Sequence, residues 1–337
     1  MPAIQPNSHV LVTGGSGFIA IWTVYQLLER GNKVRATVRS ADKGKYLQDV
    51  FKKYGDKLEY TIAEDLEKEG AFDDAVKDVD AVLHTASPFH FNVEGDPKRT
   101  LINPAVNGTR NVLSSIHKHG SNVKRVVITS SFAAILDSTR QGHIVYTEKD
   151  WNVSSVENVD KKGKDQEAPD AYRASKTLAE PPSSQINSPE KLNTSVGFVW
   201  ALLHGSKKEE DVLAPAGNCV DVRDVAYAHL EALVRPDAGG NRFATSLRPF
   251  TYQDVVDIVH SDSNVPADWK KQVPTGKPGQ GSTIKQNELD GSKATRVLGL
   301  KYIQLKHVED MVASLADYEK QGWSGVPSAD ILSRTKQ

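Results

Sequence analysis

The sequence predicts an α/β protein with a doubly wound parallel sheet, and three observations support this prediction. Short β-rich runs alternate with helix-like stretches over the first two-fifths of the 337 residues. The runs are rich in Val, Ile and Leu, as buried parallel strands are. A glycine-rich turn joins the first run to the first helix-like stretch. Such alternation implies βαβ units with right-handed crossovers.

The predicted elements follow one another in a regular order up to residue 131. The β-rich runs cover residues 9–14, 33–40, 58–65, 81–87 and 123–131. The helix-like stretches between them cover residues 19–31, 41–55, 71–79 and 103–120. This order places the carboxyl ends of the strands, and the loops that follow them, at one edge of the sheet. Ligands of parallel α/β sheets bind at that edge.

The regularity weakens after residue 132. A polar loop leads to a helix that carries Tyr172, and residues 181–190 are turn-formers throughout. The stretch "VDVRDVAYAHLEALVRP" predicts a strand followed by a helix, and residues 242–246 are expected to form one more short strand. Thr251 and Asp254 form a capping-box pattern, which predicts that a helix begins there.

Composition excludes several classes of function. The 42 basic and 43 acidic residues leave a formal net charge of −1, so no field attracts nucleic acid or a membrane surface. One cysteine, Cys219, excludes intrachain disulfides, and no apolar run is long enough to span a bilayer. His117 and His119 lack a carboxylate or cysteine cluster, so we predict no metal site. A cytoplasmic protein is the expectation.

The glycine-rich turn has the pattern G-x-x-G-x-x-A. Gly14, Gly17 and Ala20 occupy its fixed positions, directly after a predicted strand and before a predicted helix. Glycines allow a tight turn and a close approach to a pyrophosphate, which binds at the positive helix N-terminus. In this context the pattern predicts a Rossmann-type dinucleotide-binding site.

The end of the second predicted strand indicates which dinucleotide is bound. NAD enzymes usually carry an acidic residue there, to hold the ribose 2′-hydroxyl. This chain has Arg39 and Ser40 instead, with Lys43 close behind. A guanidinium group suits a 2′-phosphate, so the sequence predicts NADP(H) as the cofactor. Arg35 lies within the strand, and we interpret it as structural.

Three further residues predict carbonyl chemistry. Tyr172 and Lys176 lie four residues apart, on one face of a helix. A nearby ammonium group lowers the pKa of a tyrosine, which can then pass a proton to a carbonyl oxygen. Ser131, where the fifth predicted strand ends, can donate a hydrogen bond to the same oxygen. The pair alone is common, but it becomes specific together with the glycine turn and the serine.

Several stretches together resemble the extended short-chain dehydrogenase/reductases. They are similar to the branch that contains dihydroflavonol reductase, cinnamoyl-CoA reductase and fungal aldehyde and methylglyoxal reductases. The motifs are "VTGGSGFIA", "TVRS", "HTASPF", "NPAVNGTRNVL", "RVVITSSFAAI", "YRASKTLAE", "VDVRDVAYAHLEAL" and "VPTGKPGQG".

The resemblance implies a role for individual residues. Ser131, Tyr172 and Lys176 would form the catalytic triad, and in the family the lysine also holds the nicotinamide ribose. The cofactor-binding residues that the resemblance implies are Gly14, Gly17, Phe18, Ile19, Arg39, Lys43, Asp65, Leu66, Thr85, Ala86, Ser87, Tyr172 and Lys176. Asn107 is expected to support the backbone of this site.

One segment departs from the family pattern. In the family the Tyr–Lys helix continues for two or more turns and leads to a further sheet strand, which flanks nicotinamide and substrate. Here Glu180 is followed at once by Pro181 and Pro182, which stop a helix. The sequence therefore predicts a sheet that lacks this strand. Residues 195–200 are β-branched and aromatic enough for a substitute strand, but their apolar spacing favours a helix.

The predicted organisation is a Rossmann domain over residues 1–250 and a smaller C-terminal, substrate-side lobe over 251–337. Residues 181–216 would be a truncated substrate-side insertion. The predicted function is an NADPH-dependent reductase of an aldehyde or ketone carbonyl in a small molecule. A catalytically impaired NADP(H)-binding paralogue, an altered gene product, and an epimerase or isomerase of the same fold stay open. So does the choice between a monomer and a homodimer.

Overall fold

A five-stranded parallel sheet forms the centre of the protein, in the order β3-β2-β1-β4-β5. The computed structural model describes residues 2–86, 96, 98–162, 171–175 and 194–323. The sheet strands are β1 (His9–Thr13), β2 (Lys33–Val38), β3 (Leu58–Ile62), β4 (Ala81–His84) and β5 (Arg125–Ile128). Every ladder in this sheet is parallel, so the predicted α/β class is confirmed.

Helices flank the sheet and build a second region after it. The α-helices are α1 (Phe18–Glu29), α2 (Ala41–Val50), α3 (Asn103–His119), α4 (Val153–Lys162), α5 (Thr194–Leu203), α6 (Val222–Val234), α7 (Tyr252–Ser261), α8 (Ala267–Gln272) and α9 (Lys306–Lys320). Residues 171–175 are also helical. The shorter 3₁₀ and π segments are Lys52–Lys57, Lys98–Ile102, Phe132–Ala134, Glu209–Asp211, Pro236–Ala238, Gly281–Thr283 and Ala294–Leu298.

Two small strand pairs lie after the main sheet. They join β6 (Val145–Tyr146) to β9 (Glu288–Leu289) in parallel, and β7 (Pro215–Cys219) to β8 (Arg248–Thr251) in antiparallel fashion. The predicted capping box is confirmed at the start of α7: Thr251 and Asp254 bond each other's backbone amides reciprocally. None of the helices in the described ranges is long and apolar enough to cross a membrane.

The inner strands bury both of their faces. Val10 and Val12 of β1 pack in a cluster with Val24 of α1 and Leu230 of α6. Leu11, which points to the opposite face, packs with Phe72, Val82 and Val112. The side-chain period of two therefore places one apolar strand between two separate cores.

A third core forms around the C-terminal helices. Leu202 and Leu203 of α5 pack with Val256 of α7, Trp269 of α8 and Leu315 of α9. The helix assignment is thus confirmed for residues 195–200, which lie within α5. α5 therefore shares its core with elements beyond residue 250, while the predicted domain division stays a prediction.

The outer strand of the sheet, β5, is much less covered than its neighbours. All four residues of β4 are buried, whereas Ile128 of β5 is 41% exposed. Within the described ranges, β5 has one strand partner, β4. Arg125 at its start donates to the carbonyl oxygens of Ala232 and Arg235, at 2.8 and 3.3 Å. The junction at Pro181 and Pro182 lies outside the described residues, so the missing strand stays a prediction.

Two local predictions are wrong. Residues 71–79 form a succession of turns in place of a helix, with a backbone bond from Val76 N to Phe72 O. Asp73 and Asp74 are weak helix formers, and Asp78 has a φ of +57°, which helical backbone does not allow. Residues 242–246 have no regular secondary structure, and the strand begins instead at Arg248. Ala244 is buried there in a hydrophobic cluster, and its amide donates to Glu148 Oε1 at 2.9 Å.

Candidate nucleotide and carbonyl site

The predicted glycine turn lies between β1 and α1 and is fastened to β2. Gly14 N donates to Thr37 Oγ1 at 3.0 Å, and Gly15 N donates to Thr37 O at 2.9 Å. Gly14 has a φ of +65°, and a Cβ there would lie 3.1 Å from Ala86 Cα. A side chain is therefore opposed both by the backbone conformation and by the neighbouring loop.

The turn leaves the start of α1 open to an anion. Gly17 is the N-cap residue and makes no side-chain cap, and the first turn of α1 carries no acidic residue. The amide groups of Phe18 and Ile19 belong to this first turn, where intrahelical partners are lacking. Ala20 is buried, as a helix packed closely on a strand requires. These residues fit the pyrophosphate of a dinucleotide.

The end of β2 presents positive charge to solvent. Arg39 and Ser40 are exposed, and Ser40 is the N-cap residue of α2. Within the described part of the chain, the Arg39 guanidinium has no ion-pair partner, while Lys43 follows in the first turn of α2. Arg35, by contrast, donates to Glu59 at 2.6 Å and to the carbonyl oxygens of Ala75 and Lys77. Its interpretation as structural is confirmed.

The loop after β3 carries Asp65 and Leu66. Asp65 is exposed and accepts a hydrogen bond from Glu67 N at 2.8 Å, while Leu66 is buried. Asn111 of α3 donates to Leu66 O at 2.8 Å and fixes the path of this loop. Within the described ranges, the Asn107 amide contacts the Glu67 side chain at 3.5 Å, and its expected support of the site's backbone stays a prediction. Asn111, one turn further along, supports the backbone of the loop at Leu66 and Lys68.

Thr13, the last residue of β1, holds the loop after β4. Its Oγ1 accepts from Thr85 N at 3.1 Å and from Ala86 N at 3.0 Å, and its carbonyl accepts from Thr85 Oγ1. The same hydroxyl lies 2.9 Å from His84 Nδ1. Since Oγ1 already accepts two bonds, it donates its proton to Nδ1, which makes Nε2 the protonated nitrogen. Ser87, the third predicted residue of this loop, lies outside the described residues.

His84 is a buried, neutral group. Burial lowers the pKa of its imidazole to about 4. Its Nε2 has no hydrogen-bond partner within the described ranges, and the Phe72 ring lies edge-on with the centroids 6.1 Å apart. Within the described ranges, therefore, only one of its two ring nitrogens has a hydrogen-bond partner.

The end of β5 is fixed in a similar way. Thr129 N donates to His84 O at 3.0 Å, and Thr129 Oγ1 lies 2.7 Å from His229 Nε2. His229 Nδ1 is 2.7 Å from the carbonyl oxygen of Val225, so Nδ1 carries the proton and Thr129 donates to Nε2. Sequence reasoning missed the roles of Thr13, Thr129 and His229, because the residues that they bond are about 70 to 100 positions away.

Ser131 lies two residues beyond this fixed point. It is the N-cap residue of Phe132–Ala134, and its Oγ accepts from Ala133 N at 3.1 Å. That bond uses the oxygen as acceptor and leaves the hydroxyl proton available for a carbonyl oxygen. Ser131 is half-buried at the carboxyl edge of the sheet, which agrees with its predicted place.

Tyr172 belongs to the helical residues 171–175. Its half-buried side chain packs against a cluster that includes Leu101, Ile102 and Val159. Ala171 and Ala174 are fully buried in the same cluster and fix the rotation of this turn. Lys176 lies outside the described residues, so its pairing with Tyr172 stays a prediction.

No group of three or more metal-ligating side chains occurs in the described ranges. His119 lies 3.4 Å from Asp73, as a surface pair. Cys219 is buried and donates to Arg248 O at 3.3 Å, and burial raises the pKa of its thiol. A raised thiol pKa disfavours the thiolate, so this cysteine is a poor nucleophile.

The fold and this sheet edge define a dinucleotide-binding α/β protein, and comparison with known proteins narrows the class. Residues 11–194 match the 3-beta hydroxysteroid dehydrogenase/isomerase family, and the chain belongs to that family. It is 34% identical to the NADPH-dependent methylglyoxal reductase of Saccharomyces cerevisiae, over 90% of this chain and 97% of that protein. It is also 34% identical to a cinnamoyl-CoA reductase of Medicago truncatula, over 94% and 98%.

Solved structures give the same result. The yeast methylglyoxal/isovaleraldehyde reductase complexed with NADPH superposes with a TM-score of 0.82 at 33% identity, over 93% of this chain and 99% of the other. A UDP-glucose 4-epimerase of Stenotrophomonas maltophila, with a TM-score of 0.62 at 16% identity, shares the fold. The predicted family, its reductase branch and the oxidoreductase class are thereby confirmed.

Proposed function

We propose that the protein is an NADPH-dependent reductase that transfers hydride to the carbonyl carbon of an aldehyde or ketone. The arrangement that carries this proposal is the meeting of three loops at one sheet edge. The Gly14 turn follows β1, the Thr85 loop follows β4, and Ser131 follows β5. The first two are in contact, since Thr13 bonds Thr85 and Ala86 directly.

The nucleotide half of the proposal rests on the glycine turn and the end of β2. The amides of Phe18 and Ile19, at the uncapped start of α1, would bind the pyrophosphate. Arg39 and Lys43 would bind the 2′-phosphate, and Asp65 and Leu66 would contact the adenine. Thr85, Ala86 and Ser87 would line the cleft further along. NADPH appears in the names of the yeast relatives, which supports this choice of cofactor.

The second part of the proposal concerns the reaction, and it states which side chains bind the carbonyl oxygen and which one donates a proton to it. When bound, the nicotinamide supplies the hydride. Ser131 would donate a hydrogen bond to the carbonyl oxygen, which polarises the carbonyl group. Tyr172 would donate its phenol proton to that oxygen as the alcohol forms. Lys176 would lower the pKa of Tyr172 and hold the nicotinamide ribose.

The test is oxidation of NADPH, followed by its absorbance, with a panel of small carbonyl compounds. The panel contains methylglyoxal, isovaleraldehyde, an aryl ketone and a β-keto ester. We expect turnover with at least one of them, and a loss of about 100-fold or more in kcat for Tyr172→Phe. Tyr54→Phe, in the short helix Lys52–Lys57, is the matched control and is expected to keep full activity.

An impaired NADP(H)-binding protein is the second candidate, and the outer strand favours it. The half-exposed β5, with Ile128 at 41%, is the place where the family strand would pack. In that case the protein would bind NADPH tightly, but no member of the panel would be reduced faster by wild type than by Tyr172→Phe. Sequencing the transcript across residues 176–195 would reveal whether a coding segment has been lost. An epimerase would instead recycle its reduced cofactor without net NADPH oxidation.

A further inference from the structure

Helix α2 approaches the sheet closely at one residue, Gly44. This glycine is buried, and it faces the ring of Tyr60 in β3. A Cβ at Gly44 would lie 2.5 Å from Tyr60 Cζ, and it would also overlap Cδ2 and Cε2 of the ring. Non-bonded carbon atoms pack at about 3.5 to 4 Å. The Tyr60 ring therefore occupies the space that any other side chain at position 44 would need.

Helix formation does not explain why a glycine occupies this position. In the interior of a helix, glycine is less favourable than alanine, because its backbone loses more conformational freedom on folding. Gly44 is not among the glycines with a positive φ, so the backbone conformation does not require it either. The close contact with Tyr60 is the feature of the structure that does require a glycine.

The same face of the sheet also supports the glycine turn. Ala36 of β2 pairs with Tyr60 of β3, and both side chains belong to one apolar cluster. A Cβ at Gly15 would lie 2.6 Å from Ala36 Cβ and 3.4 Å from Leu47 Cδ1. Leu47 is fully buried and lies three residues after Gly44, on the same side of α2. α2 therefore packs on β3 through Gly44 and beside the glycine turn through Leu47.

The start of α2 carries the residues that would bind the 2′-phosphate. Ser40 is the N-cap residue, Arg39 precedes it, and Lys43 comes directly before Gly44. Gly44 N donates to Ser40 O at 3.2 Å, which couples the position of Gly44 to the start of the helix. A side chain at position 44 would push this part of α2 away from the sheet by about 1 Å. Charge-assisted hydrogen bonds are short, and a displacement of this size weakens them.

We propose that Gly44 and Tyr60 are positioning residues that set the distance of α2 from the sheet. At this distance Arg39 and Lys43 reach the 2′-phosphate of NADPH, so the pair determines the preference for NADPH over NADH. The proposal rests on the 2′-phosphate contacts proposed above. NADH lacks this phosphate, and its binding therefore reports on the rest of the nucleotide site.

The first test exchanges volume between the two residues. Gly44→Ala adds a methyl group, and Tyr60→Val removes the ring but keeps a β-branched residue in the strand. The dissociation constants of NADPH and NADH are measured by fluorescence titration of the full-length protein. We expect Gly44→Ala to weaken NADPH binding by about fivefold or more and NADH binding by less than about twofold. Tyr60→Val and the double variant should keep the wild-type ratio of the two constants within about twofold.

The second test is the melting temperature, which examines the packing without any nucleotide. Alanine is the better helix former, so it would raise the melting temperature if the space were free. We expect Gly44→Ala to melt below wild type, because the ring of Tyr60 opposes the new methyl group. In the Tyr60→Val protein the ring is absent, and there the same substitution should raise the melting temperature. This reversal of sign is specific to direct contact between the two residues.

The proposal is overturned if folded Gly44→Ala keeps the wild-type ratio or melts above wild type, or if the double variant does not regain a lost ratio. Where Gly44→Ala does not fold, a folded double variant with the wild-type ratio supports the proposal, and an unfolded or unselective one overturns it. Arg39→Leu distinguishes the two levels of the argument. If Arg39→Leu lowers the preference for NADPH and Gly44→Ala does not, the positioning role alone is overturned. If neither variant lowers it, the 2′-phosphate site is overturned as well.

Discussion

The inner strands and the outer strand of the sheet differ in how they are held. Around β1 and β4, both faces are buried, and Thr13 and His84 join the strand ends through buried hydrogen bonds. At β5 the burial is partial, although Thr129 and His229 still fix its end. Within the described ranges, the inner strands are therefore held by two covered faces and buried hydrogen bonds, whereas β5 is only partly covered.

Truncating one side chain on β4 and one on β5 should produce the largest difference in the free energy of unfolding. Leu83 of β4 is fully buried, so Leu83→Ala is expected to lower the free energy of unfolding by about 3 kcal/mol. Ile128→Ala on β5 should lower it by only about 1 kcal/mol, because 41% of Ile128 is already exposed to water in the folded protein. Urea denaturation measures both values. Equal losses would contradict the contrast, and would mean that another part of the chain covers β5.

Two glycine positions allow a comparison of two effects of an added side chain. At Gly14 the side chain would meet a neighbouring loop, whereas at Gly55 it would cause backbone strain alone. Gly14→Ala combines a positive φ with a contact of 3.1 Å to Ala86, and is expected to cost about 2 to 3 kcal/mol of stability and to weaken NADP⁺ binding. Gly55 has a φ of +58° and a ψ of −126° with open space around it, so Gly55→Ala should cost about 1 to 3 kcal/mol from backbone strain alone. Calorimetry of NADP⁺ binding should find the affinity of Gly55→Ala unchanged; a matching loss there would attribute the effect to general destabilisation.

Acid should destabilise the inner strands through His84. The folded-state pKa of about 4 lies below the ordinary value of 6.5, so only the unfolded chain gains a proton as the pH falls through this window. The free energy of unfolding should drop by about 2 kcal/mol from this group between about pH 7.5 and pH 5. Melting temperatures across this range measure it, with His84→Gln as the variant that should lose this part of the slope.

Asp224 is expected to have the opposite effect on stability as the pH falls, so a separate variant is needed to measure it. Burial raises its carboxyl pKa to about 6, and Ile303 N donates to it at 2.8 Å. Because the folded-state pKa is above the ordinary value, this group adds stability as the pH falls from about 6 towards 4. Asp224→Asn removes that contribution, and the acid destabilisation due to His84 should then be steeper. A flatter profile in Asp224→Asn would reverse the assignment.

The smallest expected effect is a change in the preference of the protein for NADPH over NADH. Arg39→Leu should weaken NADPH binding by about tenfold and leave NADH binding nearly unchanged, because a charge-assisted bond to the 2′-phosphate contributes about 1.5 kcal/mol. Lys45→Leu, an exposed position on α2, is the control for loss of one positive charge. Fluorescence titration with both nucleotides gives the ratio. An unchanged ratio in Arg39→Leu would remove this residue from the site.

The positions of the strands along the chain could be predicted because they follow from local patterns. Alternating apolar runs and the glycine turn located β1 to β5 and the start of α1 from neighbouring residues alone. The bonds that organise the site could not be predicted in this way. Thr13 and His84, or Thr129 and His229, are brought together only in the folded sheet. No short stretch of sequence therefore indicates that these residues are in contact. The turns at residues 71–79 were not predicted for a related reason. Their apolar residues have a spacing that is typical of a helix, and packed turns can have the same spacing.

The attachment of the glycine turn to Thr37 has a consequence for ligand capture. Two backbone amides of the turn are already bonded to β2, so this stretch has little freedom left to lose when a nucleotide arrives. A preorganised turn of this kind favours rapid capture without a preceding rearrangement. Hydrogen–deuterium exchange at Gly14 and Gly15 should accordingly be slow in the apo protein and hardly slower after NADP⁺ is added.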